Sequence, residues 1–315
     1  ALILLGHGEN SVFSITNELR WQWPHLSIEQ VIADGRDLER LGQVFDAFQP
    51  DTIFHAAAHK HVPLMEINVA DAVTNNVKGT VNLLHLAEAH QVGRFVFIST
   101  DKAVNPSSIM GATKRVAELL VQESALRSGL PYVAVRFGNV LGSSGSVVPL
   151  FREQISRGGP VTVTHPEVRR YFMTIPEAVQ LVLQAAALGE GAEVFVLDMG
   201  APIRIEDLAK DLIKLSGLEL GRDVDIVYTG LRPGEKMFEE LSVAGEKYVR
   251  TRHEKIVSTR NGASGSGGSS DLRGSVQELI RLAGQGNVPE IRNKLKEIVP
   301  EYSVAPETSA GEGGP

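Results

Sequence analysis

Short apolar segments alternate with longer amphipathic stretches over the first 137 residues of this chain. The apolar segments cover 1–5, 27–33, 51–55, 94–99 and 132–137, and helical patterns lie between them at 15–21, 38–48, 69–89 and 111–128. Two parallel strands can be joined only by a crossover of about a dozen residues or more, which is usually a helix. The alternation therefore predicts βαβ units that build a doubly wound, parallel α/β sheet.

The pattern changes after residue 137, where a loop of small residues at 138–148 precedes shorter and less regular elements. We expect a Rossmann-like domain over 1–138, to which 174–198 return, and a smaller C-terminal substrate domain over 139–300. The glycine- and serine-rich stretch 261–270 predicts a flexible loop, and 301–315 a disordered tail. The 315 residues are enough for two such domains.

Composition excludes several classes of protein. The chain has no cysteine, a net charge of −7 and no apolar run near the ~20 residues that span a bilayer. It therefore has no disulfide, zinc–thiolate site or cysteine nucleophile, which is typical of the reducing cytoplasm where we expect it to act. The negative charge argues against a nucleic-acid partner. His59 and His61 lack an evident third ligand, so we expect no metal site.

The segment most suited to chemistry is 98–114. Thr100, Asp101 and Lys102 directly follow the predicted strand 94–99, at the edge where open α/β sheets bind ligands. Met110 and Lys114 are four residues apart, so they share one face of the predicted helix. The same residues would suit a surface loop before a charged helix, but their place in a doubly wound sheet predicts an active site.

These residues resemble the extended short-chain dehydrogenase/reductases, and within them the CapD-like nucleotide-sugar 4,6-dehydratases of polysaccharide biosynthesis. Supporting strings stand at 55–66, 75–80, 136–142, 169–173 and 232–236, so the resemblance covers about residues 1–260. It implies an NAD(P)-dependent UDP-N-acetylglucosamine 4,6-dehydratase and a homo-oligomer, with 111–128 in a dimer face. In that reaction hydride leaves sugar C4 and returns to C6, and water is lost.

The resemblance also implies roles for the central segment. Asp101 would protonate the C6 hydroxyl, Lys102 would remove H5, and Thr100 would bind the C4 hydroxyl. Lys114 would hold the nicotinamide ribose. Lys102 would need a lowered pKa to act as a base near neutrality.

Met110 departs from the superfamily, which usually has tyrosine four residues before the helix lysine. A thioether cannot exchange a proton, so the ordinary dehydrogenase mechanism is not possible here. Methionine at this position resembles the branch of dehydratases that keeps the configuration at C5. A packing methionine or an inactive enzyme is the other interpretation.

The nicotinamide dinucleotide is expected at the carboxyl ends of the early strands. The predicted contacts are Gly6, His7, Glu9, Asn10, Asp34, Ala56, Ala57, Ala58, Asn76 and Lys114. Glu9 or Asn10 would bind the ribose of NAD, or Gly6 and His7 would leave room for the 2′-phosphate of NADP. We favour NAD.

The UDP-sugar is expected between the two domains. The predicted contacts are Lys60, His61, Asn139, Ser143, Gly145, Ser146, Val147, Arg169, Arg170, Arg232 and Glu235. The small-residue loop can bring amides to phosphate, and the arginines can pair with phosphate charges. Glu235 would bind the uridine ribose.

Two other functions remain open at this stage. A UDP-sugar 4-epimerase would use the same cofactor and nucleotide but needs a tyrosine base, and a non-catalytic nucleotide-sugar-binding domain needs no acid or base. The order of the motifs also makes 1–5 the second strand of the fold. We therefore expect the first strand and its glycine-rich turn to lie upstream, in a longer protein that can include membrane helices.

Overall fold

The computed structural model describes residues 1–241, 248–259 and 271–303. The strands are β1 Leu2–Gly6, β2 Ile28–Ile32, β3 Thr52–His55, β4 Arg94–Ile98, β5 Tyr132–Arg136, β6 Asn139–Val140, β7 Val161–Val163, β8 Arg169–Arg170, β9 Phe172–Met173, β10 Val194–Leu197, β11 Ile203–Arg204, β12 Ile226–Tyr228, β13 Tyr248–Arg250 and β14 Ile256–Thr259. The helices are α1 Glu9–Gln22, α2 Leu38–Phe48, α3 Val62–Ile67, α4 Val69–Ala72, α5 Gly79–Ala89, α6 Ile109–Ser128, α7 Val147–Ser156, α8 Ile175–Leu188, α9 Ile205–Leu215, α10 Leu272–Gln285 and α11 Val288–Ile298. A π-helical segment, Val73–Lys78, joins α4 to α5, and a 3₁₀ turn, Asp101–Ala103, follows β4.

Side chains at the helix starts explain several of these boundaries. Asp37 accepts a hydrogen bond from the Arg40 backbone N–H at the start of α2, and Ser108 accepts one from Gly111 at the start of α6. Such caps satisfy backbone donors that have no partner within the helix. The sequence therefore fixes where the helices next to the site begin.

The main sheet has the order β13-β14-β10-β5-β4-β3. Its strands β3, β4, β5 and β10 are parallel to one another. Strand β14 pairs with β10 in antiparallel orientation, and β13 pairs with β14 in antiparallel orientation. The predicted Rossmann-like α/β class is confirmed. Because β3, β4 and β5 are parallel neighbours, their carboxyl ends lie along one edge, where 56–58, 99–102 and 137–139 leave the sheet.

Strands β1 and β2 form a separate parallel pair, in register from Leu2 opposite Ile28 to Gly6 opposite Ile32. Within the described residues, no strand joins this pair to the main sheet at β3. The expectation of a further strand upstream stays a prediction.

Three buried hydrophobic clusters hold these layers together. The first lies between the main sheet and α2, α5 and α6, and it includes Val276, Leu279, Ile291 and Leu295 of α10 and α11. The second packs α8 against β5 and β10, and the third surrounds α7 and α9 beside β7. Helices α10 and α11 thus pack on the first cluster, although they fall within the predicted substrate domain 139–300. The domain boundaries stay a prediction.

Two expectations need correction. The predicted tail 301–315 starts too early, because Tyr302 is buried and the Ser303 N–H donates to the Pro106 carbonyl. Residues 304–315 lie outside the described ranges, as does the predicted loop 261–270. Most of helix α6 is buried within the chain, where α3, α5 and α11 pack on it, so little of it is free for the predicted dimer face. No helix in the described ranges is long and apolar enough to cross a membrane.

Candidate active site

The turn after β4 carries a row of interacting polar side chains. The Thr100 hydroxyl donates to Asp101 Oδ1 at 2.8 Å, and the Lys102 ammonium donates to the same oxygen at 2.9 Å. Asp101 is fully buried, and its Oδ2 has no hydrogen-bond partner within the described residues. A buried carboxylate oxygen without a donor is costly, so this atom is a candidate contact for a bound hydroxyl group.

The start of α6 packs directly against this turn. A Cβ at Gly111 would lie only 2.2 Å from the Lys102 carbonyl oxygen, so the close approach requires glycine at this position. The preceding Met110 is 3% exposed and belongs to the first hydrophobic cluster. Met110 thus packs in the core and offers no proton there, and its place in the catalytic set stays a prediction.

Lys114 lies one turn further along α6, below the carboxyl end of β4. Its Nζ donates to the Ile98 carbonyl at 2.6 Å and lies 4.0 Å from the centre of the Phe97 ring. Burial lowers the pKa of Lys114 to about 7, although Glu118 acts in the opposite direction. Lys114 can therefore exist as a free amine near neutrality.

The pKa of Lys102 is raised, whereas a base near neutrality would need a lowered one. Burial acts to lower the pKa of Lys102, but the carboxylates of Asp101 and Glu239 outweigh it and raise the pKa above its ordinary value. The low pKa expected for a base therefore belongs to Lys114 in this structure. Lys102 is an ammonium ion that also donates to the Asn139 side-chain oxygen at 3.2 Å.

Glu239 is a site residue that the sequence did not reveal. Its carboxylate is buried, with Oε1 4.0 Å from Lys102 Nζ and 3.9 Å from Arg170 Nε. The sequence pointed to residues 232–236 as part of the site, and Glu239 follows three positions later. Only the fold brings this segment against the turn after β4.

Arg170 and Glu235, two predicted substrate contacts, bind each other. The Arg170 guanidinium lies 3.1 Å from Glu235 Oε1 and also donates to the carbonyls of Lys236 and Met237. Its charge is compensated by Glu235 within the protein, and its contact with a phosphate group stays a prediction. Arg232 is exposed and pairs with Glu235 at 3.3 Å. Arg169 has a buried Nε with no partner within the described residues.

The small-residue loop before α7 lies against the segment after β3. Lys60 donates to the Ser144 carbonyl at 2.7 Å. Gly145 has a φ of +67°, and a Cβ there would lie 2.8 Å from the His61 ring, so glycine is required. Ser143 accepts a backbone hydrogen bond from Ser146, whose hydroxyl is buried without a partner among the described residues. Val147 then begins α7, so the structure brings together the predicted contacts at 60–61 and 143–147.

The Asn76 side chain forms hydrogen bonds within the protein. Its side chain accepts from the His59 N–H at 2.8 Å and donates to the His59 carbonyl and to the Thr113 hydroxyl. It sits in the π-helical segment, a feature common at functional sites. Asn76 thereby fixes the segment after β3 to helix α6, and its contact with the cofactor stays a prediction.

The remaining predicted cofactor contacts surround the ends of β1, β2 and β3. Gly6, His7, Glu9 and Asn10 form the turn from β1 into α1, and Ala56, Ala57 and Ala58 leave β3 with exposed or half-buried side chains. Asp34 lines a cleft together with Arg36, Lys78 and Asn82. Hydrogen bonds from Arg36 lower the pKa of Asp34 to about 2, and the two side chains pair at 2.7 Å. Within the described residues, no three histidine, aspartate or glutamate side chains cluster as metal ligands.

The sequence of this chain is similar to those of known proteins. The sequence model of a family described as polysaccharide biosynthesis protein matches residues 1–261. The chain belongs to this family. The capsular polysaccharide biosynthesis protein CapD of Staphylococcus aureus is 56% identical over 257 residues, which are 81% of this chain and 43% of that protein. The chain thus spans less than half the length of this curated relative.

Solved structures have the same fold as this chain. The X-ray structure of Pen from Bacillus thuringiensis has 34% sequence identity and a TM-score of 0.75, over 81% of this chain and 79% of that chain. The dTDP-glucose 4,6-dehydratase DesIV of Streptomyces venezuelae, solved with NAD and DAU bound, has 22% identity and a TM-score of 0.65, over 76% of this chain and 78% of that chain. The predicted resemblance to CapD-like proteins of the extended short-chain dehydrogenase/reductase group is confirmed.

Proposed function

We propose that this chain is the catalytic part of a nucleotide-sugar 4,6-dehydratase, a hydro-lyase that converts UDP-N-acetylglucosamine to a UDP-4-keto-6-deoxy sugar for surface polysaccharide or glycan biosynthesis. The observation that carries the proposal is the hydrogen-bonded row Thr100, Asp101 and Lys102 at the carboxyl end of β4. Loss of water from a sugar needs an acid and a base beyond the lysine of α6, and this row supplies both. The polysaccharide biosynthesis relatives and the dehydratase of like fold support the assignment.

The described residues fit a nicotinamide cofactor. Ala56 and Ala57 leave the end of β3 open, and the cleft at Asp34 continues this edge. Lys114 presents a buried amine beside the same edge. A bound nicotinamide would accept hydride from sugar C4 and return it to C6. We retain NAD as the preferred form, because Arg36 is neutralised by Asp34 and is not a spare cation for a 2′-phosphate.

The proton transfers can be followed on the protein. Thr100 takes the proton of the C4 hydroxyl and passes its own to Asp101 Oδ1, with which it is already hydrogen-bonded. Asp101 then protonates the C6 hydroxyl, so the proton from C4 departs in the water molecule. Lys102, as a free amine, removes H5, and its ammonium group, whose protons exchange with solvent, later donates a proton to C5. The buried, unpartnered Oδ2 of Asp101 supports this role, because it can face the hydroxyl that leaves.

Met110 favours dehydration over the alternative reaction. A UDP-sugar 4-epimerase with tyrosine as its base would need a phenol where this chain has a buried thioether. The row at the end of β4 also gives the chain an acid that simple epimerisation at C4 does not use. A non-catalytic domain would have no need of either feature.

The test is incubation of the protein with UDP-N-acetylglucosamine in heavy water, with NAD or NADP in separate samples. We expect a product that has lost one water and gained one deuterium at C5, and NMR gives its configuration there. Asp101→Asn should abolish dehydration, whereas Asp198→Asn, an exposed aspartate just beyond β10, should not. Recovery of the C4 epimer or of unchanged substrate from the wild-type protein would refute the proposal.

The setting of the reaction forms part of the proposal. We place the enzyme in the cytoplasm, or at the cytoplasmic face of a membrane if a longer protein carries an anchor, because the cysteine-free sequence suits a reducing compartment. A homo-oligomer remains our expectation, but it must use a surface other than α6.

A further inference from the structure

Glu239 lies within the cluster of charged groups at the proposed site, and the reaction described above gives it no role. It is 92% buried and lies far along the chain from the turn after β4. Among the described residues, the carboxylates that form ion pairs with Lys102 are Asp101 at 2.9 Å and Glu239 at 4.0 Å. Lys102 therefore sits between two buried acids.

We propose that Glu239 is a positioning residue that controls the protonation of Lys102: with Asp101 it keeps Lys102 as an ammonium ion in the resting site, and it receives that proton when Asp101 becomes neutral. The inference rests on the proposed function, because only a base role requires Lys102 to lose its proton. It adds to that function the step that makes the base.

The surrounding charges favour this role. The nearest further cation is Arg170, 3.9 Å from Glu239, but it is shared with Glu235 at 3.1 Å. Lys236 also faces Glu239, yet it is held by the Val104 carbonyl at 3.1 Å and by a second carboxylate, Glu240, at 3.4 Å. Because both cations have partners of their own, the immediate surroundings of Lys102 are negative.

The ionisation of both groups follows from these contacts. Asp101 and Glu239 outweigh the burial that would lower the pKa of Lys102, and they raise it. Burial and the charge of Asp101 raise the pKa of Glu239, against the opposite effects of Lys102 and Arg170. A raised pKa in each partner means that the ammonium ion holds its proton tightly and that the carboxylate accepts one readily.

The proton of the sugar C4 hydroxyl switches this balance. When Thr100 passes that proton to Asp101, Lys102 loses the carboxylate that lies closest to it, and its pKa falls. An N–H bond of Lys102 then breaks and an O–H bond forms on Glu239 Oε1, so no proton leaves the site. The two atoms, 4.0 Å apart at rest, must approach by about 1 Å to reach hydrogen-bond distance. Lys102 is thereby a free amine at the stage when H5 must be removed.

The direct test is the reactivity of the Lys102 amine, which does not depend on turnover. Lysines of the 315-residue chain are labelled competitively with acetic anhydride across a range of pH, and mass spectrometry gives the extent at Lys102. Glu239→Gln should raise the labelling of Lys102 at a given pH by about tenfold, as expected for loss of an opposite charge within ~4–6 Å. Glu239→Asp keeps the charge but withdraws it by one methylene, so it should give a smaller rise in the same direction.

Glu240→Gln is the matched control. Glu240 has the same side chain at the next position, but it is exposed and binds Asn105 and Lys236 instead of Lys102. It should leave Lys102 labelling unchanged. In the Glu239 variants Arg170 still pairs with Glu235, which favours folding, and circular dichroism checks that each variant is folded. If Glu239→Gln does not fold, the labelling of Glu239→Asp decides.

The outcomes separate this inference from the proposed function. A change of less than about twofold in the Glu239 variants, or an equal rise in Glu240→Gln, overturns the inference even if the protein dehydrates its substrate. A specific rise at Lys102 in a protein that leaves UDP-N-acetylglucosamine intact supports the charge coupling and refutes the function. A rise together with an acid limb of kcat/KM that moves to lower pH supports both.

Discussion

Gly111→Ala is expected to damage the proposed site through the backbone alone. The new Cβ would lie 2.2 Å from the Lys102 carbonyl oxygen and 3.1 Å from the Pro106 Cβ. The first of these atoms belongs to the main chain, so no rotation of a side chain can relieve the contact. Helix α6 and the turn that carries Asp101 and Lys102 must instead move apart by about 1 Å.

The size of the effect follows from that displacement. Forcing an extra methyl group into a packed core costs about 1–3 kcal/mol of unfolding free energy, reduced by the better helix propensity of alanine, about 1 kcal/mol. A misplacement of about 1 Å at reacting groups lowers turnover by roughly 100-fold. We therefore expect a small loss of stability and a large loss of kcat.

The assay combines urea unfolding with the rate of product formation from UDP-N-acetylglucosamine. Gly42→Ala is the control, because Gly42 lies within α2 and has no atom within 4 Å of a built Cβ. It should keep full activity and gain up to about 1 kcal/mol of stability. If Gly111→Ala folded with wild-type stability and wild-type kcat, the close packing of α6 on the turn would not matter and the argument would fail.

Two further predictions concern buried charges. Glu118→Gln should lower the unfolding free energy by about 3–5 kcal/mol in urea titrations, because it removes a buried carboxylate that pairs with the fully buried Arg136 at 2.7 Å. Burial alone would raise the pKa of Glu118, but Arg136, Arg115 and Ser99 lower it from 4.5 to about 2. The stabilisation by Glu118 is therefore complete above pH 4.5 and is lost as the pH falls toward 2. The Gln variant should lack this acid dependence. Burial lowers the pKa of Lys114 to about 7 from 10.5, so the unfolded chain binds more protons between these values and stability should rise with pH by at most about 1.4 kcal/mol per pH unit. Lys114→Met should remove this rise in stability below pH 10. Above pH 10 the rise is opposed by Tyr132, whose pKa burial raises to about 12. An unchanged slope of stability against pH in the variant would contradict the lowered pKa of Lys114.

The position of the central row was predictable because it depends on local rules. A strand rich in phenylalanine and valine is followed at once by Thr100, Asp101 and Lys102, and strand ends in a parallel sheet share one edge. Lys114 follows from helix periodicity after the Ser108 cap. Backbone geometry and sequence distance are enough to place these groups.

The chemistry of the same residues was less predictable, since ionisation depends on groups brought from elsewhere in the chain. As a base near neutrality Lys102 would need a lowered pKa, yet Asp101 and the distant Glu239 raise it. Asn76 forms hydrogen bonds with His59 and Thr113, and nothing local in its sequence specifies the π-helical turn that places it there.

The two lysines of the site illustrate why burial alone does not make a base. Both are removed from water, and burial lowers the pKa of each. Lys114 faces a backbone carbonyl and an aromatic ring, which do not compensate for the lost hydration, so its amine titrates near neutrality. Lys102 faces two carboxylates, which more than compensate. A reaction that uses Lys102 as the base must therefore first neutralise one of those acids, and oxidation at C4, which releases a proton next to Thr100 and Asp101, is the step of the proposed reaction that can do so. In the proposed reaction, removal of H5 therefore follows oxidation at C4, because Lys102 is a free amine only after one of those acids has been neutralised.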